Sequence, residues 1–200
     1  MSFLTAFNAR GPIRFWSALG NDADGDCVVA GTENIRICQN LLSTSTFKKL
    51  LYKIGFRPPH TAYSLELYAE YLATLNEKPS PNTGIDPTGW FEWCKTKGLI
   101  TAWGAVDIKN QDAVKEAVVK YRGVLLTLEL TYNSWRDAFY TKKTWTVGTD
   151  KNDQPNPTLN HAVALVDYTP GYFGIVTWGL FRTFSVDYYD ACVNGVYWFY

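Results

Sequence analysis

Cys27 and His161 are the two side chains of the sequence whose types could combine in covalent catalysis. A thiol becomes a strong nucleophile when it loses its proton, and an imidazole titrates close to neutral pH, so it can take that proton and return it later. Cys27 ends the acidic stretch NDADGDC and opens an apolar-periodic segment, whereas His161 opens the strand-like stretch HAVALVDY. A helix and a strand that meet across a cleft would turn the pair into a nucleophile and its base.

The position of Cys27 predicts a thiol that is more acidic than usual. A cysteine in the first turn of a helix gains from the helix dipole and the free N–H groups there, and a nearby imidazolium adds to this effect. Together they lower a thiol pKa from about 8.5 to roughly 3.5–7.5. We interpret Asp22, Asp24 and Asp26 as solvated turn and cap residues, with Asp26 as the N-cap. The residue types alone also allow Cys27 to be a small core residue and His161 to be structural.

Composition restricts the classes of function. The 200 residues suit one domain, and 19 basic residues balance 19 acidic ones, which argues against nucleic-acid binding. The apolar stretches are too short for a membrane span, and the start of the sequence does not resemble a signal peptide, so we expect a cytoplasmic protein. With four cysteines, no C-x-x-C pair and two histidines, we expect no metal centre and no cofactor.

The remaining cysteines and the second histidine are not expected to take part in chemistry. Cys38, Cys94 and Cys192 lie in apolar or aromatic segments, where cysteine behaves as a small buried hydrophobe. His60 follows two prolines in RPPHT, which predicts an exposed turn. Both assignments leave Cys27 and His161 as the candidate pair.

The elements that must position this pair change in type along the chain. Helical periodicity follows Cys27, recurs from Leu65 to Leu75, and returns after the cap candidates Asp86 and Asn110. From Val124 the chain instead shows short β-rich runs separated by turns, namely VLLTLEL, HAVALVDY, YFGIVTW, GLFRTFSV and VYWFY. We therefore predict a single α+β domain over 1–200, with a mainly helical lobe at 1–122, a mainly β lobe at 123–200 and the site in the cleft between them.

The last strand is unusual because both of its faces are apolar. Alternation places Val196, Trp198 and Tyr200 on one face and Tyr197 and Phe199 on the other. We expect the strand to be integral to the fold. If the N-terminal residues do not cover its second face, the aromatic surface would support self-association or docking on a larger protein assembly.

Two motifs resemble papain-like cysteine peptidases. NDADGDCVVAG is similar to the family's nucleophile segment, with Asn21 standing where the family has glutamine. HAV at His161 and TWG at Trp178 are similar to its histidine strand and the hairpin that follows. The likeness runs from about Asn21 to Gly179. A softer likeness, through GDC, HAV and VTWG, is to small papain-like proteins encoded by bacteriophages.

The resemblance implies a role for each matching residue. Cys27 would be the nucleophile and His161 the base, the Cys27 backbone N–H and the Asn21 amide would form the oxyanion hole, and Trp178 would cover the imidazole. Asn21 is one methylene shorter than glutamine, so its amide falls roughly 1.5 Å short unless the turn tightens. The family's histidine-orienting asparagine corresponds to Val176, which cannot accept a hydrogen bond, and Thr177 is expected on the other face of the strand.

Two functions follow from this resemblance. The first is a papain-like cysteine peptidase or related thiol hydrolase that cleaves a peptide or isopeptide bond, including crosslinks of a peptidoglycan-type substrate. The second is a catalytically weak or inactive papain-like domain that serves as a structural or binding component, virion-associated if the protein is phage-encoded. The retained Cys27 and His161 favour the first function, and the missing histidine orienter favours the second.

Overall fold

A computed structural model describes residues 6–8, 13, 16–41 and 61–200. The helices are α1 (Cys27–Leu41), α2 (Thr61–Thr74), α3 (Pro87–Thr96), α4 (Gln111–Tyr121), α5 (Tyr132–Tyr140) and α6 (Val186–Cys192), with a 3-10 turn at Lys151–Asp153. The strands are β1 (Phe7–Asn8), β2 (Trp103–Ala105), β3 (Val124–Thr131), β4 (Pro155–Thr169), β5 (Tyr172–Thr177), β6 (Leu180–Ser185) and β7 (Val193–Phe199). Among the helices of this described part, none is long and apolar enough to cross a bilayer.

One antiparallel sheet organises these elements. Its strands follow the order β2-β7-β3-β4-β5-β6, and β1 pairs with β4. His161 pairs with Leu128 of β3, so it lies inside the sheet rather than at the start of a strand. Trp178 and Gly179 form the two-residue turn between β5 and β6, and both have positive φ angles, of 46° and 71°. Such angles at both turn residues suit the twist of a tight hairpin.

Side-chain alternation along β4 divides the core into two clusters. Ala162 and Ala164 face the first cluster, which contains the inner faces of α1, α2 and α3. Val163 and Leu165 face the second cluster, together with α4 and α6. The small side chains allow α1 to approach closely, since a Cβ atom added at Gly31 would lie 3.6 Å from the carbonyl carbon of Val163. Helix α1 therefore rests almost directly on the backbone of β4.

Side-chain caps begin two of the helices at the predicted places. Asp86 accepts a hydrogen bond of 2.8 Å from the N–H of Gly89 at the start of α3. Asn110 accepts one of 3.0 Å from the N–H of Ala113 at the start of α4. Each cap contributes about 1 kcal/mol and satisfies an N–H group that the helix cannot pair internally. Both predicted helix starts are confirmed.

The α+β class predicted from the sequence is confirmed, but the second half contains more helix than expected. Helix α5 is absent from the sequence-based prediction, although Thr131 and Ser134 form a capping box at its start. Strand β4 begins at Pro155, well before the predicted run HAVALVDY that opens at His161. The strand β2, which lies in the half predicted to be mainly helical, joins the sheet beside β7.

The final strand has packing partners on both of its faces. Phe199 is buried in the first cluster, with its ring 5.3 Å from that of Phe91 on α3. Trp198 points the other way and stacks on Tyr121 of α4 at 4.5 Å. The strand lies between β2 and β3, so it is integral to the sheet. Tyr197 and Trp198 are partly exposed and Tyr200 is 57% exposed, so assembly through this aromatic surface stays a prediction.

Replacing Phe199 by alanine is expected to lower the free energy of unfolding by about 3–5 kcal/mol, because a large side chain leaves a cavity in the first cluster. Urea unfolding followed by circular dichroism measures the change. Tyr172 is 48% exposed and provides a matched control, with an expected loss below about 1 kcal/mol for Tyr172→Ala. Equal losses in the two variants would contradict the interior position of β7.

Candidate active site

Cys27 lies where α1 begins, against the strand that carries His161. The backbone N–H of Ala162, the residue after His161, hydrogen-bonds to the Cys27 sulfur and partly opposes the rise of its pKa. The structure thus brings the two predicted residues to the same point of β4. No hydrogen bond joins the thiol to the imidazole within the described residues. Their predicted separation, about 4 Å between sulfur and ring nitrogen, stays a prediction.

His161 is oriented by a residue that the sequence did not identify. It is the first buried residue of β4, and its Nε2 lies 2.7 Å from Thr177 Oγ1. Thr177 lies on the opposite face of β5 from Val176, as expected, but this is the face that meets the imidazole, so the inference that Thr177 points away from His161 is wrong. Ile175 of β5 belongs to the second cluster, on the side of the sheet where His161 and Thr177 meet, while Val176 faces the first cluster beneath α1. Strand alternation therefore gives the orienting position to the threonine.

Trp178 lies flat over the imidazole. Its ring stacks on His161 with a centroid distance of 4.2 Å and an interplanar angle of 10°. The φ angle of 46° places this bulky residue in the left-handed region, at a cost of roughly 1–2 kcal/mol. At Gly179 an added Cβ would come within 2.7 Å of the Ala18 backbone nitrogen. The hairpin thereby touches the segment that leads to Asn21.

Asn21 lies in a tight turn before α1. Its backbone N–H donates to the carbonyl of Ala18 at 3.1 Å, and the preceding Gly20 has a φ angle of 104°. Gly25 in the same turn needs to lack a side chain, because a Cβ there would lie 2.6 Å from the carbonyl oxygen of Thr83. The glycine of NDADGDC therefore allows the loop around Thr83 to approach the nucleophile turn. The predicted role of the Asn21 amide in an oxyanion hole stays a prediction.

Asp26 departs from the predicted cap. Its carboxyl group is buried, and neither oxygen has a hydrogen-bond partner among the described residues. Burial raises the pKa of Asp26 to about 8, and the charge of Asp24 adds to the shift. The group is therefore largely protonated at neutral pH. Its interpretation as a solvated capping residue is wrong, because the turn folds Asp26 inward beside Gly20.

Burial also sets the protonation states of the candidate pair. It raises the pKa of Cys27 to about 11, to which the nearby Asp26 contributes. Burial lowers the pKa of His161 to about 3. These shifts run opposite to the predicted activation of the thiol, since loss of solvent outweighs the helix dipole and the Ala162 N–H. The resting pair is a neutral thiol beside a neutral imidazole.

The other cysteines are buried, as predicted. Cys38, Cys94 and Cys192 are free thiols with almost no exposed surface. Burial raises the pKa of each to about 12. Their low reactivity stays a prediction. His60, predicted as an exposed turn residue, lies outside the described residues.

Solved structures of cysteine proteases are similar to this fold. The chain is similar to xylellain from Xylella fastidiosa, with a TM-score of 0.58 and 12% identity over 99% of this chain and 86% of that one. It is similar to digestive procathepsin L 3 from Tenebrio molitor larval midgut, with a TM-score of 0.64 and 11% identity over 100% and 70%. A cysteine protease of Carica candamarcensis gives 0.50 and 17% over 98% of both chains. The predicted papain-like α+β fold is confirmed.

No model of a protein family matches the sequence, and no curated protein matches it either. Identities of 11–17% to the solved structures relate this chain to them through the fold alone.

Replacing Asp26 by asparagine is expected to raise the free energy of unfolding by roughly 4 kcal/mol at pH 7. The pKa of Asp26, about 8 in the folded protein, lies above its ordinary value. The carboxyl therefore stabilises the fold only at low pH, and this contribution is lost as the pH rises from about 4 to about 8, because the unfolded chain ionises first. Asparagine does not titrate, so the gain should vanish near pH 4.

Urea unfolding at several pH values between about 4 and 8 measures this difference. Asp22→Asn is the matched control, since Asp22 is exposed and its replacement should change stability by less than about 0.5 kcal/mol. A pH-independent difference between wild type and Asp26→Asn would show that the folded protein holds this carboxyl ionised.

Proposed function

We propose that this protein is a cysteine peptidase or related thiol hydrolase that cleaves a peptide or isopeptide bond, with Cys27 as nucleophile and His161 as base. The observation that carries the proposal is the 2.7 Å contact between His161 Nε2 and Thr177 Oγ1. It leaves Nδ1 as the nitrogen without a hydrogen-bond partner among the described residues. The thiol meets the next backbone N–H along the same strand, at Ala162.

The proposed reaction requires different tasks of the two ring nitrogens. For Nδ1 to take the thiol proton, the neutral ring must carry its own proton on Nε2. That N–H then donates a hydrogen bond to the Thr177 hydroxyl. The thiolate then attacks the carbonyl carbon, and the resulting imidazolium protonates the leaving amine as the C–N bond breaks. Water, deprotonated by the same imidazole, attacks the thioester, and the acid product leaves as Cys27 regains its proton.

The oxyanion that forms on attack needs hydrogen-bond donors. The first N–H groups of α1, including that of Cys27, have no partner within the helix and carry the positive end of its dipole. The side-chain amide of Asn21 is the proposed second donor. Its turn is held against the rest of the site by the backbone contact between Ala18 and Gly179. Donors fixed in advance stabilise the transition state without reorganisation.

One observation favours the second function, a papain-like domain that binds or supports another molecule without catalysis. The resting thiol and imidazole are both neutral, with the pKa of Cys27 raised and that of His161 lowered by burial. The absence of a histidine orienter no longer favours this alternative, because Thr177 takes that position. The two functions differ in the reactivity of one thiol.

Alkylation of the native protein tests the proposal. Iodoacetamide or a papain-type epoxide near pH 6, followed by peptide mapping, should modify Cys27 at least about tenfold faster than a free cysteine, because His161 takes the thiol proton as the sulfur attacks, whereas a free cysteine has no positioned base. His161→Ala should remove this excess. Alkylation of Cys27 at the rate of free cysteine would support the binding function instead.

Replacing Thr177 by valine is expected to slow alkylation of Cys27 by about tenfold or more, since the buried Nε2–H loses its acceptor and the ring changes to the other tautomer. Thr177→Ser keeps the hydroxyl and should retain most of the rate. Nitrogen NMR of His161 reports the tautomer directly in both variants. If valine leaves the tautomer and the rate unchanged, Thr177 does not orient the base.

A further inference from the structure

Helix α5 has its large side chains on the outside. Ser134 and Ala138, both small, form its buried side. Tyr132, Trp135 and Phe139 are 47%, 42% and 48% exposed. At 100° per residue these three aromatic residues fall within roughly 60° of one another, so they form one stripe along the helix. A helix that only filled the core would bury its aromatics and expose its serine.

Buried polar contacts hold α5 in place without help from the aromatic stripe. Ser134 Oγ is 2.7 Å from the hydroxyl of Tyr188 and also completes the capping box at the helix start. At the other end the buried Arg182 donates from Nε to the carbonyl of Ala138 at 3.0 Å. The stripe formed by Tyr132, Trp135 and Phe139 is therefore presented to solvent on a fixed support.

The stripe is continuous with the candidate active site. The ring of Phe139 lies 5.0 Å from that of Trp178, which stacks on His161 at 4.2 Å. Further along the helix, Tyr132 and Trp135 contact each other at 5.9 Å. From Tyr132 to Phe139 the helix rises about 10 Å, so the stripe extends about this far from the imidazole. An extended peptide of about three residues has the same length.

The chemistry of the proposed function decides which part of a substrate meets this stripe. Cys27 meets the backbone N–H next to His161, and the His161 ring stacks on Trp178, which Phe139 contacts in turn. The contacts therefore lead from the nucleophile past His161 to the stripe. The acyl half of a substrate stays on the sulfur. The leaving amine must lie at the imidazole that protonates it, and the chain attached to that amine continues past Trp178.

We infer that the aromatic stripe of α5 binds the leaving segment of a peptide substrate and selects large apolar or aromatic side chains there. This inference rests on the proposed function. Aromatic rings of the protein offer stacking surface to such side chains, and exposed aromatic patches of this kind are characteristic of binding surfaces. A leaving segment made of glycine or charged residues would not cover the aromatic rings of the stripe, which would stay in contact with water.

Partitioning of an acyl-enzyme tests the inference. A p-nitrophenyl ester of N-protected glycine acylates Cys27 with a leaving group that contains no amino acid. Added amines then compete with water for the thioester, and chromatography gives the ratio of transfer to phenylalaninamide over glycinamide. We expect a ratio of about ten in the wild type, equivalent to about 1.4 kcal/mol. Because it is a ratio, it does not depend on the acylation rate.

Substitutions of single stripe residues show which of them causes the selectivity. Phe139→Ser should reduce the ratio of transfer to phenylalaninamide over glycinamide towards one. The second residue of a dipeptide amide reaches further along α5. Trp135→Ser should therefore reduce the ratio of transfer to glycyl-phenylalaninamide over glycyl-glycinamide towards one. Trp135→Phe should restore part of the lost selectivity. Tyr172→Ser, an equally exposed aromatic residue at the far end of β5, should leave both ratios unchanged.

The outcomes separate this inference from the proposed function. A wild-type ratio of one, or equal ratios in wild type and Trp135→Ser, overturns the inference while acylation of Cys27 still stands. Absence of any acyl-enzyme overturns both. Chitotriose serves as a probe for glycan binding. If it quenches the tryptophan fluorescence of the wild type but not that of Trp135→Ser, while the transfer ratios stay at one, the stripe binds glycans and the inference is wrong.

Discussion

The close approach of α1 to β4 is the constraint on which the rest of the structure depends. Gly31 on the helix and the alanines at 162 and 164 on the strand leave no side chain between the two backbones large enough to separate them. The approach places α1 on one face of the sheet and brings the start of α1 to the Ala162 N–H. A larger side chain at Gly31 would meet Leu125 and move the nucleophile away from the strand of its base.

Features that depend on neighbouring residues could be predicted from the sequence. The caps at Asp86 and Asn110 involve N–H groups three residues away, and the chemistry of Cys27 and His161 was suggested by residue type and motif order. The orienting role of Thr177 could not be found in this way, because it depends on the register between β4 and β5. Aligning motifs compares positions along the chain, whereas a strand presents alternate positions to opposite sides.

Asp26 shows the same limit for electrostatics. Its place before a helix is typical of a cap, but its burial results from α2, whose Leu65 packs against Gly20 beside the carboxyl. Burial then raises the pKa of Asp26 and, with it, that of Cys27. The three acids before the cysteine do not act alike, because Asp22 is exposed and Asp26 is enclosed. If Cys27 acts as proposed, its proton moves as the carbonyl is attacked rather than beforehand.

The place of β7 in the sheet has a consequence for how the chain folds. Leu126 of β3 pairs with Val196, and β2 pairs with the same late strand through Trp103 and Phe199. During synthesis, one edge of β3 therefore stays unpaired until residues close to 199 have left the ribosome. Pairings between such distant parts of a chain form slowly, and an open apolar strand edge can pair with other chains in the meantime. A nascent chain of this protein would therefore need protection from aggregation at β3 until β7 has inserted.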